Sequence, residues 1–176
     1  MLIPEIDFCT PKHLEALDFL EKECFPEAPW PFRVLQRDLE EVFRETLFYL
    51  GAFWKGFLVG YAVFRPRGRE WTLLRIGVQE AYRRHAIGFQ LLEAGEILAR
   101  EAGARKMFLE VREENRGARR LYENAGYVLQ GTPGKMRRDT GKPALVYRKN
   151  FSDVSKDLTK ELPDYLFEHS GSRKSP

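Results

Sequence analysis

Two stretches of the chain combine residue types and spacing that can do chemistry. The first reads Arg75-Ile76-Gly77-Val78-Gln79-Glu80-Ala81-Tyr82-Arg83-Arg84-His85-Ala86-Ile87-Gly88. An apolar run stops at Val78 and a short loop with two arginines follows. From Ile87 the apolar period turns helical, with Ile87, Leu91, Leu92, Gly95, Leu98, Ala99 and Ala102 in step. A helix N-terminus carries unsatisfied N–H groups and a partial positive charge, so it is a ready anion site. Gly88 lets backbone approach a ligand closely, while Arg83, Arg84 and His85 surround it with charge. Such a loop suits a pyrophosphate, although a solvated loop with ordinary surface arginines has the same composition.

The second stretch is Lys106-Met107-Phe108-Leu109-Glu110-Val111. Glu110 interrupts an otherwise apolar strand expected in the middle of a sheet. An ionised carboxylate there is costly unless it is paired or faces a wet cleft. The plainer readings are an edge position or an ion pair with Arg112 or a helix arginine. Further on, Asn115 serves equally well as a helix N-cap or as a ligand. Tyr122 shares one helical face with Ala118, Leu121 and Ala125, and by itself reads as core.

These residues need a strand–loop–helix–strand unit to position them, and the chain supplies one. Ala102-Gly103-Ala104 ends the helix with a C-cap glycine before the Lys106 strand, at about the minimum length for a parallel crossover. Upstream, residues 1–8 read as a strand, and Thr10-Pro11 as an N-cap with a first-turn proline opening a helix. Three prolines break that helix between Cys24 and Phe32, and a second helix spans roughly residues 32–44, with an acidic side (Asp38, Glu40, Glu41, Glu45) that reads as solvated. Residues 47–54 and 57–64 form a hairpin at Lys55-Gly56, and residues 65–69 make a second turn. Residues 70–78 then feed the anion loop. Gly126 caps the helix of Tyr122. Two last strands, at 127–131 and 144–148, flank a basic, turn-rich segment at 132–143. His13 and His169 have no partner in sequence and read as surface.

At 176 residues the chain is expected to hold one domain over residues 1–150, with a polar tail at 151–176. Only Leu162, Tyr165, Leu166 and Phe167 of that tail could dock, as one helical turn. A hydrophobic fraction of 43% and a charged fraction of 31% describe a soluble globular protein. A net charge of +3 is too small to argue for nucleic acid, and no run approaches a membrane span. Cys9 and Cys24 make neither a disulfide framework nor a metal spacing, so a reduced, cytoplasmic protein is the simplest expectation.

Taken together, Ile76-Gly77-Val78, Arg83-Arg84-His85-Ala86-Ile87-Gly88, Leu109-Glu110-Val111-Arg112, Asn115, Ala118, Leu121-Tyr122 and Gly126-Tyr127 stand in a specific order and spacing. That pattern resembles the GNAT superfamily of acyl-CoA-dependent N-acetyltransferases, most closely the ribosomal-protein N-terminal (alpha-amino) acetyltransferases. Phe25-Pro26 with Trp30 also resembles the turn between that family's first two helices. The resemblance covers roughly residues 1–150. It implies an α/β fold: a mixed twisted sheet of about seven strands, antiparallel in its first half, with helices on both faces. Acetyl-CoA enters where the strand ending at Val78 and the strand of Glu110 splay apart.

Carried over residue by residue, the resemblance implies that the backbone of Ile76, Gly77 and Val78 runs alongside the pantetheine arm. Arg83, Arg84, His85, Ala86, Ile87, Gly88 and Phe89 hold the pyrophosphate, and Asn115 bonds the cofactor near the pantetheine. Glu110 is the general base and Tyr122 the general acid; no metal is expected, because a thioester is already activated. Ala86 stands where the family has glycine, which is comfortable only at negative φ. Lys135-Met136 stands where the family carries a tyrosine pair used in peptide binding. The acceptor implied is a protein or peptide amine. The alternatives are a small amine, such as a polyamine or an antibiotic, and a non-catalytic acyl-CoA-binding module.

Overall fold

The computed structural model describes residues 2–40, 46–130 and 144–151. The expected basic segment at 132–143, the tail with Leu162 to Phe167, His169, and the end of the second helix with Glu41 and Glu45 lie outside the described residues. Among those described, the elements run β1 (Glu5–Phe8), α1 (Leu14–Cys24), α2 (Phe32–Glu40), β2 (Phe48–Trp54) and β3 (Phe57–Arg67). They continue with β4 (Glu70–Val78), α3 (Ile87–Glu101), β5 (Lys106–Arg112), α4 (Arg116–Asn124), β6 (Val128–Leu129) and β7 (Ala144–Asn150).

The strands form one seven-stranded sheet in the order β1-β2-β3-β4-β5-β7-β6. Only β4 and β5 pair in parallel, joined by the α3 crossover; every other pair is antiparallel. Helices cover both faces. Ile87, Leu91, Leu92 and Ala99 of α3 and Tyr122 of α4 pack on Trp71, Leu73, Met107, Leu109 and Val111. On the other face, Leu17 and Leu20 of α1 and Leu35 and Leu39 of α2 pack on Tyr49, Tyr61 and Val63. Gly95 is what lets α3 lie flat on the sheet: a Cβ there would sit 2.0 Å from the Phe64 ring. Among the described residues no helix is long and apolar enough to cross a membrane.

Several expectations are corrected in detail. The turn expected at residues 65–69 shrinks to Gly68-Arg69, because β3 runs on to Arg67 and Pro66 pairs with Trp71. The proline is tolerated because β2 reaches only Phe48 opposite Phe64, so the missing N–H breaks no ladder bond on that side. His13 is not a bare surface residue: its Nδ1 accepts the Thr10 N–H at 3.0 Å and its ring rests on Phe53. Asp38, expected to be solvated, is buried and accepts the Tyr49 hydroxyl at 2.9 Å.

Candidate active site

The site begins where a ladder stops. The parallel pairing of β4 and β5 covers only Glu70–Leu73 against Lys106–Leu109. At that point the β3 register slips, with Phe64 opposite Leu73 but Val63 opposite Arg75, so Leu74 is an extra residue. This is a β-bulge, which bends a strand and deepens its twist. Its effect on the side chains is visible: Trp71 and Leu73 join the α3 face, whereas both Leu74 and Arg75 turn to the α1 face. Beyond it β4 leaves β5, and a notch opens at the C-terminal ends of the two strands.

The backbone of β4 beyond the bulge is aimed into that notch. Gln79 N–H donates to Val59 O at 2.9 Å, and bonded pairs alternate along an antiparallel ladder. Gly77 is therefore bonded to β3 opposite Tyr61, while Ile76 and Val78 turn their N–H and C=O groups away from β3. Val78 O is already held, by Arg83 Nε at 2.9 Å and by Cys24 Sγ at 3.5 Å. The Ile76 groups and the Val78 N–H face the gap.

A cavity of about 170 Å³ occupies the notch, and Ile76, Glu110, Asn115 and Tyr122 all line it. It passes through the sheet. Met107, Leu109 and Val111 point to the α3 and α4 side, so Glu110 and Arg112 point to the other side, where Arg112 reaches Glu27 at 2.6 Å. Residues 25–28 form that wall. Tyr122 approaches from the opposite side: its ring is buried against Tyr127 and Tyr147, yet it reaches the cavity. Tyr122 is thus a core residue that also lines the cavity. Glu110 is exposed on a central strand, which excludes the edge reading, and it lines the cavity. Asn115 is an N-cap, accepting the Ala118 N–H at 3.1 Å, and it lines the cavity as well.

Gly77, Val78 and residues 83–89 do not line this cavity; they continue from it along β4 to the start of α3. Arg83, Arg84, His85, Ala86 and Phe89 are exposed and Ile87 is buried. The first bond of the helix runs from Gln90 N–H to Ala86 O at 3.0 Å, so the N–H groups of Ile87, Gly88 and Phe89 have no carbonyl of their own helix to bond. Arg84 and Ala86 are both left-handed, with φ of 66° and 61°. The condition under which alanine would be comfortable in place of glycine is thus not met, and Ala86 carries strain of about 1–2 kcal/mol.

Sequence reasoning passed over one cluster. Glu21 of α1 and Arg75 of β4 are 0% and 4% exposed and meet at 2.5 Å. Glu21 also accepts the Trp30 N–H at 2.7 Å and the Tyr61 hydroxyl. Arg75 donates to Ala28 O at 2.7 Å and lies over the rings of Phe25 and Trp30, 4.1 and 4.6 Å from their centres. Burial holds the Glu21 carboxyl above the usual carboxylate range, and the Arg75 charge opposes that rise without cancelling it. The available signal was a charged residue inside an apolar strand, the same one that drew attention to Glu110.

Comparisons with known proteins converge on one family. The family model described as Acetyltransferase (GNAT) family matches residues 14–127. The chain is 34% identical over 141 residues to the N-alpha-acetyltransferase RimI of Mycobacterium tuberculosis, covering 77% of this chain and 85% of that protein. The ribosomal-protein-S18-alanine N-acetyltransferase from Escherichia coli superposes with a TM-score of 0.73 at 22% identity, over 86% of this chain and 96% of that one. The paia N-acetyltransferase from Thermoplasma acidophilum, solved in complex with coenzyme A, gives 0.68 at 19% identity, over 85% and 100%. At those identities the two structures speak for the fold alone.

The left-handed Ala86 yields a prediction. Ala86→Gly removes the Cβ from the one conformation that disfavours it and should stabilise the protein by about 1 kcal/mol in urea unfolding. Unchanged or lower stability would mean that the loop does not hold Ala86 at positive φ.

Proposed function

The chain belongs to the GNAT acetyltransferase family and is an acetyl-CoA-dependent N-acetyltransferase; from that premise we propose that it acetylates the alpha-amino group of a protein or peptide by direct attack on the thioester. One observation carries this reading: Glu110 and Tyr122 line one cavity but enter it from opposite faces of the sheet. A base on the α1 side and an acid on the α4 side suit an acceptor and a cofactor that meet inside the notch. The kinship with an N-alpha-acetyltransferase supports the alpha-amino acceptor over a small amine.

In this reading the pyrophosphate rests on the N–H groups at the start of α3, with Arg83, Arg84 and His85 around it. The pantetheine lies along Ile76 to Val78, where it replaces the missing β5 partner by bonding the Ile76 backbone, and Asn115 stands beside it. An alpha-amino group has a pKa near about 8 and must lose a proton before it attacks. Glu110 accepts that proton, directly or through one water. The amine nitrogen then bonds to the thioester carbon, and the Val78 N–H stabilises the oxyanion that forms. As the C–S bond breaks, Tyr122 gives its proton to the departing sulfur. Glu110, facing the acceptor wall, favours the approach of an ammonium group.

Direct transfer is also favoured over an acyl-enzyme. Cys24 is the thiol beside Gly77, and burial raises its pKa, which disfavours the nucleophilic thiolate.

The test is a pair of isosteric substitutions assayed with acetyl-CoA and a peptide bearing a free α-amino terminus. Glu110→Gln should fold normally and lose about 10²- to 10⁴-fold in turnover, the residual rate rising with pH as free amine accumulates. Tyr122→Phe keeps the packed ring and should lose on the order of 10²-fold with acetyl-CoA affinity intact. A stable, fully active Glu110→Gln would remove Glu110 from the mechanism. Normal turnover in Tyr122→Phe would leave that residue to packing alone.

A further inference from the structure

We propose that the buried Glu21–Arg75 pair is a positioning device that fixes the acceptor wall, residues 25–30, against the cofactor strand. The proposal rests on the reading of that wall as the acceptor side.

The geometry is that of a clamp. Arg75 follows the bulge residue and immediately precedes Ile76, whose backbone faces the notch. From this one point on β4 its guanidinium reaches three parts of the wall at once. It donates to Ala28 O at 2.7 Å, covers the Phe25 ring and covers the Trp30 ring. Its charge is met by Glu21, the last buried residue of α1 before the wall begins. Glu21 in turn holds the wall from the other end, through the Trp30 N–H at 2.7 Å, and is anchored to β3 by the Tyr61 hydroxyl. Residues 25–30 contain two prolines and no regular element, so little else in their own backbone fixes their path. Phe25, Pro26, Glu27 and Ala28 line the cavity opposite Glu110. The distance from the base to an incoming amine is therefore set by a wall whose placement passes through Arg75.

A fold-stabilising ion pair and a positioning clamp behave differently when both charges are removed. Neutralising both members of a buried pair spares the protein an unpaired buried charge and is often tolerated. Glu21→Gln with Arg75→Met keeps an acceptor for the Trp30 N–H, turns an amide NH₂ toward the Tyr61 oxygen and leaves a long apolar stem under the rings, but loses the fork that reaches Ala28. Arg75→Lys keeps the charge and also loses the planar fork that can bond and stack together.

The measurements are amide hydrogen exchange across residues 25–31, acetyl-CoA affinity by calorimetry, and Michaelis constants for a peptide with a free α-amino terminus. For both variants the clamp predicts faster exchange confined to residues 25–31, centred on the Trp30 amide. It also predicts a peptide KM raised about 10-fold or more, with acetyl-CoA affinity changed far less. If the double variant does not fold, Arg75→Lys carries the test by itself. Wild-type exchange and wild-type peptide KM in a folded variant overturn the proposal, as does an equal loss for peptide and acetyl-CoA. If the wild-type protein modifies no peptide, the acceptor reading fails instead, and the exchange measurement, which needs no acceptor, still decides whether the clamp exists.

Discussion

The interaction on which the rest of this molecule depends is one that ends: the β4–β5 ladder, which stops at Leu73 and Leu109 in the middle of the sheet. Backbone N–H and C=O groups inside a protein are nearly always paired, so an interrupted ladder in a central position leaves donors and acceptors that something must satisfy. The bulge at Leu74 creates the interruption, and an extended ligand arm can complete it. The same residue that breaks the ladder also resets the side-chain alternation, which is how Arg75 comes to face the α1 side. One inserted residue thus shapes both the β4 side of the notch and the anchor of its opposite wall.

Both helices that follow the parted strands begin beside the notch. α3 starts after β4 with three N–H groups lacking helical partners, and α4 starts after β5 with Asn115 as its cap. Their partial positive ends favour an anionic ligand. The loop before α3 reaches this arrangement through two left-handed residues, Arg84 and Ala86, neither of them glycine. Strain of this kind persists only where surrounding contacts over-determine it, here the buried Ile87 and the Arg83 bond to Val78 O.

What was legible in the sequence was legible for physical reasons. The change of period at Ile87 and the glycine at Gly103, which has φ of 81°, mark α3 because they follow from local geometry. Glu110 stood out because a charge in an apolar strand needs a reason. Arg75 carried the same signal, but a bulge has no sequence signature of its own, and Leu74 beside it reads as one more strand residue. Glu21 could not be linked to Arg75, since 54 positions separate them and a glutamate between Leu20 and Lys22 looks solvated. Pro66 read as a turn because the sequence does not say that β2 has already ended there. The sign of φ at Ala86 is likewise a property of the loop closure and not of the residue, so the sequence could state only the condition that the fold then failed to meet.

The central claim is that the parted edge of β4 is the acetyl-CoA strand. Amide exchange of the wild-type protein with and without saturating acetyl-CoA tests it with an internal control. Ile76 and Val78 turn their amides to the notch, while Gly77 between them is already bonded to β3. The account predicts that acetyl-CoA slows exchange at Ile76 and Val78 together with the first turn of α3, and leaves Gly77 nearly as it was. Protection that appears elsewhere, with Ile76 and Val78 exchanging at the same rate in both states, would contradict it.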